Sequence, residues 1–491
     1  MKSDRTSTAT WLPVALVLAN LALKLGWTGV NELAGDEPFT VYWALRPWSE
    51  LFGMLRTENN PPLFFLVMHG WEKLVPLSAA WLRVPSALFS ALTVWPLFLL
   101  GKRLGGITAG ITASLLFTFS QHNYAFAHEV RAYPLLVLAC TWAVWQLLRL
   151  ADDHHRHPAL RPATIAWLVA ANVVATWAHY FGWLMVGLEV VLVFAVPLLR
   201  KVRVKMLGAA LATVLLNLPL LGILRQRAGA SLTQGTWLEA PTWEEPYNMV
   251  MRWSNKPVVA VLFLGLAVWA LVHRRGRVRR SSLAVPLYWA GLPLVGMFLI
   301  SFLFPVYLDR YLLFASPGFY LLVSLSALTL PGRKRIHQLA STGCVAAMAF
   351  TFTPWQGNGA RPSLVVARAE AWRRGHTAVV IQPPWYDLTY AWARDPQLFR
   401  SAAPLDITMR EQGIYPVQRN TMPPLDSTVA TVVHVDAWAS LTDPGQDVLR
   451  ALRATFQQTD SMEADRKVML RLFRRKEPAQ APPGLQQPSS H

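Results

Sequence analysis

Long apolar runs, broken by short polar and charged clusters, fill the first 355 positions of the chain. Runs of near-spanning length lie at about 11–31, 80–100, 106–126, 132–149, 163–179, 182–199, 206–224, 257–272, 283–304, 311–330 and 339–355. A helix of about 20 apolar residues crosses the hydrocarbon layer, and a backbone in lipid must bond to itself, so these runs predict membrane helices. The short alternating strands of a barrel are missing. With the N-terminus in the cytoplasm, the gaps on that side carry nineteen Lys and Arg, and the longer far-side gaps carry nine. Cationic loops stay on the cytoplasmic side, so the pattern predicts eleven spans and a C-terminus outside the cytoplasm. The segment 61–75 (PPLFFLVMHGWEKLV) is too short for a span, and counting it would invert everything downstream. It reads as an interfacial helix on the outer leaflet, as does 47–56 (PWSELFGMLR), where Leu51, Met54 and Leu55 stand at helical spacing.

After Trp355 the texture changes to ordinary charge density, with 16 basic and 13 acidic residues from 356 onward. Ser363 to Arg374 has helical periodicity, and Ala378–Ile381, Val429–Val435 and Val468–Phe473 read as strands. The expected organisation is an all-α polytopic domain over 1–355 and a small extracytoplasmic α/β domain over 356–476. A Pro/Gln-rich tail over 477–491 is expected to be disordered.

Composition agrees with this class. Apolar residues make up 53% of the chain and charged residues 15%, where a soluble domain carries about a quarter charged. The formal net charge of +18 is spread over loops rather than gathered on one face, which argues against a nucleic-acid partner. Cys140 and Cys344 both fall inside apolar runs and are expected to be buried thiols. The run from Trp11 to Val30 has no small-residue cleavage site and is expected to remain as the first span.

Ionisable groups at membrane level need a reason. Three clusters share the far side: Gly35-Asp36-Glu37-Pro38, His128-Glu129-Val130-Arg131-Ala132-Tyr133 and Asp309-Arg310-Tyr311. A carboxylate such as Asp36 can take a proton from an attacking hydroxyl, although an acidic outer loop also follows from charge bias alone. Arg131 can pair with Glu129 or bind a phosphate, and Arg310 can do the same with Asp309 or a phosphate. Asn59-Asn60-Pro61-Pro62 suits a capped helix start. His179-Tyr180 suits an interfacial helix end, and the Asp152-Asp153-His154-His155-Arg156-His157 run reads as a solvated inner loop.

Taken in order, GDEPFTVYWA (35–44), ENNPPLFFLVMHGWEKL (58–74), LRVPSALFSALTVWPLFLLGKRLGG (82–106), HEVRAY (128–133), AHYFGW (178–183) and DRYLLFASPGFYLL (309–322) resemble the GT-C polytopic glycosyltransferases. The branch is the bacterial one similar to protein mannosyltransferases and lipid A aminoarabinose transferases. The resemblance covers roughly residues 11–330 and implies inverting transfer of a sugar from a polyprenyl-phosphate donor to a hydroxyl acceptor on a lipid, glycan or protein. It implies Asp36 as the general base, with Glu37 and Glu129 as acidic support. Arg131 and Arg310 are then the donor-phosphate ligands, and Asn60, His128, Tyr133, His179 and Tyr180 line the cavity. It also implies a multi-pass protein of the bacterial inner membrane. Where relatives carry a His or a Glu-Lys pair before the Pro, this chain has Asn59-Asn60, which leaves a divalent metal cofactor an open question. The competing class is a lipid or sugar transporter, which would gather its ionisable groups near mid-membrane and often shows repeats; neither is seen in the sequence.

Overall fold

Each of the eleven apolar runs carries helix in the computed structural model, which describes residues 8–56, 58, 60–156, 162–234, 238–273, 280–418 and 420–476. Asn59, His157, Arg161, Arg277 and the 477–491 tail lie outside the described residues. The chain separates into two compact units, one of Met1–Val30 with Thr40–Gly357, the other of Asn31–Phe39 with Asn358–His491.

Among the described residues of the first unit, three helices are long and apolar enough to cross a membrane: Ala79–Gly105, Tyr133–His154 and Ser281–Ile300. Two bent pairs raise that count to five, Gly182–Ala195 with Arg200–Leu216 at 118° and Glu245–Trp253 with Pro257–Val272 at 96°. The remaining runs form shorter helices, including Trp11–Leu25, Ile107–Thr118 and Pro162–Ala178. Length and composition therefore support three to five of the eleven expected spans. The short segments Trp48–Leu55 and Leu63–Trp71 are helices of 8 and 9 residues, about 12–14 Å each, far too short to span.

Packing in this unit depends on close backbone approach. A Cβ on Gly101 would stand 2.7 Å from the Cα of Gly110, and one on Gly110 would stand 2.7 Å from the carbonyl oxygen of Phe98. Small residues allow such contacts between membrane helices, where lipid offers no hydrophobic driving force. The helix Ser316–Ala327 is buried along its whole length and packs on Arg280–Ile300, Ile107–Thr118 and Pro257–Val272. The sequence expectation of a loop does not hold over 152–156, because the helix Tyr133–Arg156 runs through those residues. Arg103 grips Asp152 with two hydrogen bonds of 2.7 and 2.5 Å, and Thr164 donates to Asp153 at 2.8 Å, which ties the helix end down.

The second unit is built on a five-stranded sheet: β1 (Thr377–Gln382), β2 (Ile414–Pro416), β3 (Thr431–Ala437), β4 (Phe456–Asp465) and β5 (Val468–Arg475), in the order β2-β1-β3-β5-β4. β1 is parallel to both neighbours, with Val379 opposite Ile414 and Val433; β5 returns antiparallel to β3 and pairs with β4. The three β-branched runs foreseen from sequence are strands. β1 is buried at every position, as a central parallel strand with both faces covered should be. The helix Asp447–Thr455 places Val448, Leu449 and Leu452 into the core with Phe456 and Phe473.

Candidate active site

Arg131 sits in the turn between the helices Gln121–Ala127 and Tyr133–Arg156. Two contacts hold that turn. Ser86 donates to the Arg131 carbonyl at 3.2 Å, and His128 Nε2 lies 2.6 Å from the Lys24 carbonyl. Burial lowers the His128 pKa to about 4, and the charges of Lys24 and Arg83 act in the same direction. His128 is thus a neutral, hydrogen-bonded strut of the turn. Glu129 is half-buried beside it.

The Arg131 guanidinium donates to Thr40 Oγ1 at 3.3 Å and to Asn60 Oδ1 at 3.4 Å. Asn60 is oriented in turn by its own amide, which donates to Glu58 at 2.8 Å. Arg131 also lies 5.9 Å from the Tyr133 ring centroid. From Tyr133 an aromatic patch continues: Tyr133 to His179 at 5.4 Å, His179 to Phe181 at 5.2 Å, His179 to Tyr311 at 5.6 Å and Phe181 to Tyr311 at 4.5 Å. It ends at Arg310, whose guanidinium is 5.7 Å from the Tyr311 ring. Both guanidiniums lie close enough to act electrostatically on the buried His179 ring. Two cations from distant parts of the chain therefore face one aromatic patch.

Arg310 stands on the seven-residue 3-10 helix Asp309–Ala315, which the buried Trp289 indole fastens by donating to the Phe314 carbonyl at 3.0 Å. Asp309 accepts the Arg310 backbone N–H at 2.7 Å and forms its ion pair with Arg252 at 3.4 Å. The structure thus brings together Asn60, Arg131, Tyr133, His179 and Arg310, with His128 and Glu129 in the same turn as Arg131. Tyr180 is half-buried in the neighbouring turn.

Asp36 and Glu37 fall in the other unit. Gly35 takes the left-handed conformation at φ +60°, where L side chains are strained, and the chain then enters the helix Glu37–Ala44. Asp36 is exposed, whereas Glu37 is buried and accepts the Ala34 N–H at 3.4 Å. The loop is fastened inside its unit by two residues. Glu32 accepts the Ser363 N–H at 2.8 Å and its hydroxyl at 2.6 Å, and Asn31 accepts the Asn358 N–H at 2.9 Å.

No protein-family model matches the chain, and no curated protein matches it. Solved structures do match. The structure of ArnT from Cupriavidus metallidurans bound to undecaprenyl phosphate aligns with TM-score 0.58 at 13% identity, over 94% of this chain and 98% of that one. Its apo form gives 0.57, at 13% identity over 95% and 98%. The archaeal oligosaccharyltransferase AglB from Archaeoglobus fulgidus, in complex with an inhibitory peptide and a dolichol-phosphate, gives 0.50, at 9% identity over 92% of this chain and 73% of that one. The chain has the GT-C fold.

Within this GT-C fold some polar residues escaped the sequence reading. Lys24 is fully buried in the helix Thr8–Leu25, donates to Ser90 and lies 4.9 Å from the Phe117 ring. Arg83 is equally buried and donates to the Thr28 carbonyl at 2.9 Å. A lysine inside an apolar run was itself the available signal. Phe181 and Thr40 were also missed as site residues, and Tyr311 was named only with its cluster and given no role, because nothing local in the sequence announces a contact across the bundle. Among the described residues, no group of three or more His, Cys, Asp or Glu side chains is placed to hold a metal ion.

Proposed function

We propose that the chain is an inverting glycosyltransferase of the bacterial inner membrane that moves a sugar from a polyprenyl-phosphate donor to a hydroxyl acceptor. The observation that carries this reading is the pair Arg131 and Arg310 on one aromatic patch, buried at Tyr133 and His179 and half-buried at Phe181 and Tyr311. Guanidiniums bind phosphate oxygens through paired N–H donors, and in a site shielded from water they stabilise charge developing on a leaving phosphate. The fold shared with ArnT bound to undecaprenyl phosphate supports a lipid-phosphate donor.

In the proposed reaction Asp36 takes the proton of the acceptor hydroxyl. The acceptor oxygen attacks the anomeric carbon, the bond from that carbon to the phosphate oxygen breaks, and polyprenyl phosphate leaves with the electron pair. Glu37 and Glu129 are the supporting acids, and Tyr180 lines the cavity. Residues 1–355 form the membrane domain of this reading and 356–476 its extracytoplasmic domain; the acceptor is a lipid, glycan or protein. The test is transfer of radiolabel from a panel of polyprenyl-phosphate sugars in membranes expressing the chain. Label should pass to an acceptor fraction with the wild type, and Asp36→Asn should lower the rate by about 10²–10⁴-fold. No transfer from any donor, or normal transfer by Asp36→Asn beside an inactive Glu37→Gln, overturns the reading or the assignment of its base.

A further inference from the structure

The second unit holds a cavity of about 300 Å³ that the proposed transfer reaction does not use. It opens beyond the carboxyl ends of the parallel strands β1 and β3, where Gln382 closes β1 and Asp436 lies near the end of β3. Crevices at that edge of a parallel sheet are where α/β folds take ligands, and the volume suits a small one.

The lining mixes polar side chains with the apolar Trp438, Ala439, Leu449 and Met469, and its charges balance. Asp436 is paired with Arg471 at 2.7 Å. Asp443 accepts from the Gln382 amide at 2.8 Å and from the N–H groups of Asp447 and Val448 at 2.9 and 3.2 Å. The start of the helix Asp447–Thr455 is therefore already filled by a carboxylate of the protein. Lys467 lies 3.8 Å over one face of Trp438, which is 47% exposed. Each cation here already has an anionic or aromatic partner, which leaves no preformed phosphate site. His434 is buried, with Nε2 3.2 Å from the Gln382 side-chain oxygen and Nδ1 without a hydrogen-bond partner. Buried polar atoms of that kind are rare and call for a ligand or a water.

Backbone strain concentrates at the same place. Of the five non-glycine residues in the left-handed region among the described residues, Trp438 (φ 68°), Gln446 (φ 54°) and Lys467 (φ 61°) line this cavity. Such conformations cost of order 1–3 kcal/mol each and gather at ligand clamps. A bulky Trp held there puts a broad aromatic face at the rim of a cavity lined by amides, a hydroxyl, an imidazole, an ion-paired and a hydrogen-bonded carboxylate, and the apolar Ala439, Leu449 and Met469.

We infer that this cavity binds a neutral saccharide, one ring at a time, with a face of C–H groups against Trp438 and its hydroxyls on Gln382, Asp443 and His434. A sugar hydroxyl both donates and accepts, which matches a mixed set of acceptors and donors better than any anion or cation does. The ring supplies the apolar face that an exposed indole wants.

The test uses the full-length protein in nanodiscs without any donor lipid, so its outcome is independent of transfer activity. Saturation-transfer NMR is run with mannose, glucose, galactose and N-acetylglucosamine at millimolar concentration, with inorganic phosphate as the competing arm. At least one sugar should receive saturation on its ring protons. Trp438→Ala should weaken its binding by about tenfold, the scale of one lost aromatic contact. Trp438→Phe should restore most of the affinity, which separates a lost stacking face from a misfolded domain. No transfer to any sugar, equal binding by Trp438→Ala, or displacement of bound sugar by phosphate overturns the proposal.

Discussion

At the scale of single residues, Arg310 can be tested against its neighbours. Arg310→Lys keeps the charge and loses the planar fork, so the donor KM should rise; Arg310→Ala should raise it further, by about 10–100-fold for a lost charge-assisted contact. Asp309 pairs with Arg252, both partly exposed, so Asp309→Asn should leave the donor KM close to normal. Equal, purely structural defects in all three variants would end the phosphate assignment. His434 gives a prediction of a different kind. Burial lowers its pKa well below the ordinary value, so the folded second unit disfavours the imidazolium. Its contribution to stability is present above about pH 6.5, the unfolded value, and is lost as pH falls through the depressed folded value. Thermal unfolding followed from pH 7 to pH 4.5 should show a loss that is smaller in His434→Gln; an identical slope in both proteins would remove His434 as its source. At this scale the sequence was informative where chemistry is local: Arg131, Arg310 and Asn60 stood out by type and position. It was silent on Phe181 and on what the ring of Tyr311 meets, because those contacts form only between segments distant in the chain.

At the scale of elements, the helices were legible because apolar periodicity and length are local properties, whereas their breaks were not. Ser120, whose hydroxyl accepts the Asn123 N–H at 3.2 Å, restarts a helix inside one apolar run, and no composition shift marks it. Two strands escaped for opposite reasons. Ile414–Pro416 is too short to show a pattern, and Phe456–Asp465 is a largely polar edge strand registered by its pairing with Val468–Arg475. The glycine contact between the helices Val84–Gly105 and Ile107–Thr118 should be unforgiving. Gly110→Val should cost about 1–3 kcal/mol or prevent folding, while Gly187→Ala, with open space around it, should be neutral or stabilising. Unfolding midpoints in detergent distinguish the two, and a tolerated Gly110→Val would show that the helices separate without penalty.

At the scale of the molecule, orientation is the expectation to test. Cysteine probes should find Lys102, Arg203 and Lys334 on the cytoplasmic side, with Arg161 and Arg277, and Asp36, Glu129, Asp309 and the chain beyond 356 on the other. A probe at 277 reached from outside would overturn that topology. Removing residues 358–491 should leave a membrane-inserted protein without transfer activity, since Asn31 and Glu32 then lose Asn358 and Ser363. A truncated chain that still transferred sugar would detach the first loop from this role.

The bond from Ser363 to Glu32 joins residues 331 positions apart. During synthesis the acidic loop emerges early and waits, unfastened, while about two thirds of the 491 residues are made. With Asp36 as the base, a domain made late would complete a piece of the catalytic machinery made early. On the proposed function, a chain that has not yet reached Ser363 would be unable to squander activated sugar on water, and competence would arrive only with that later segment.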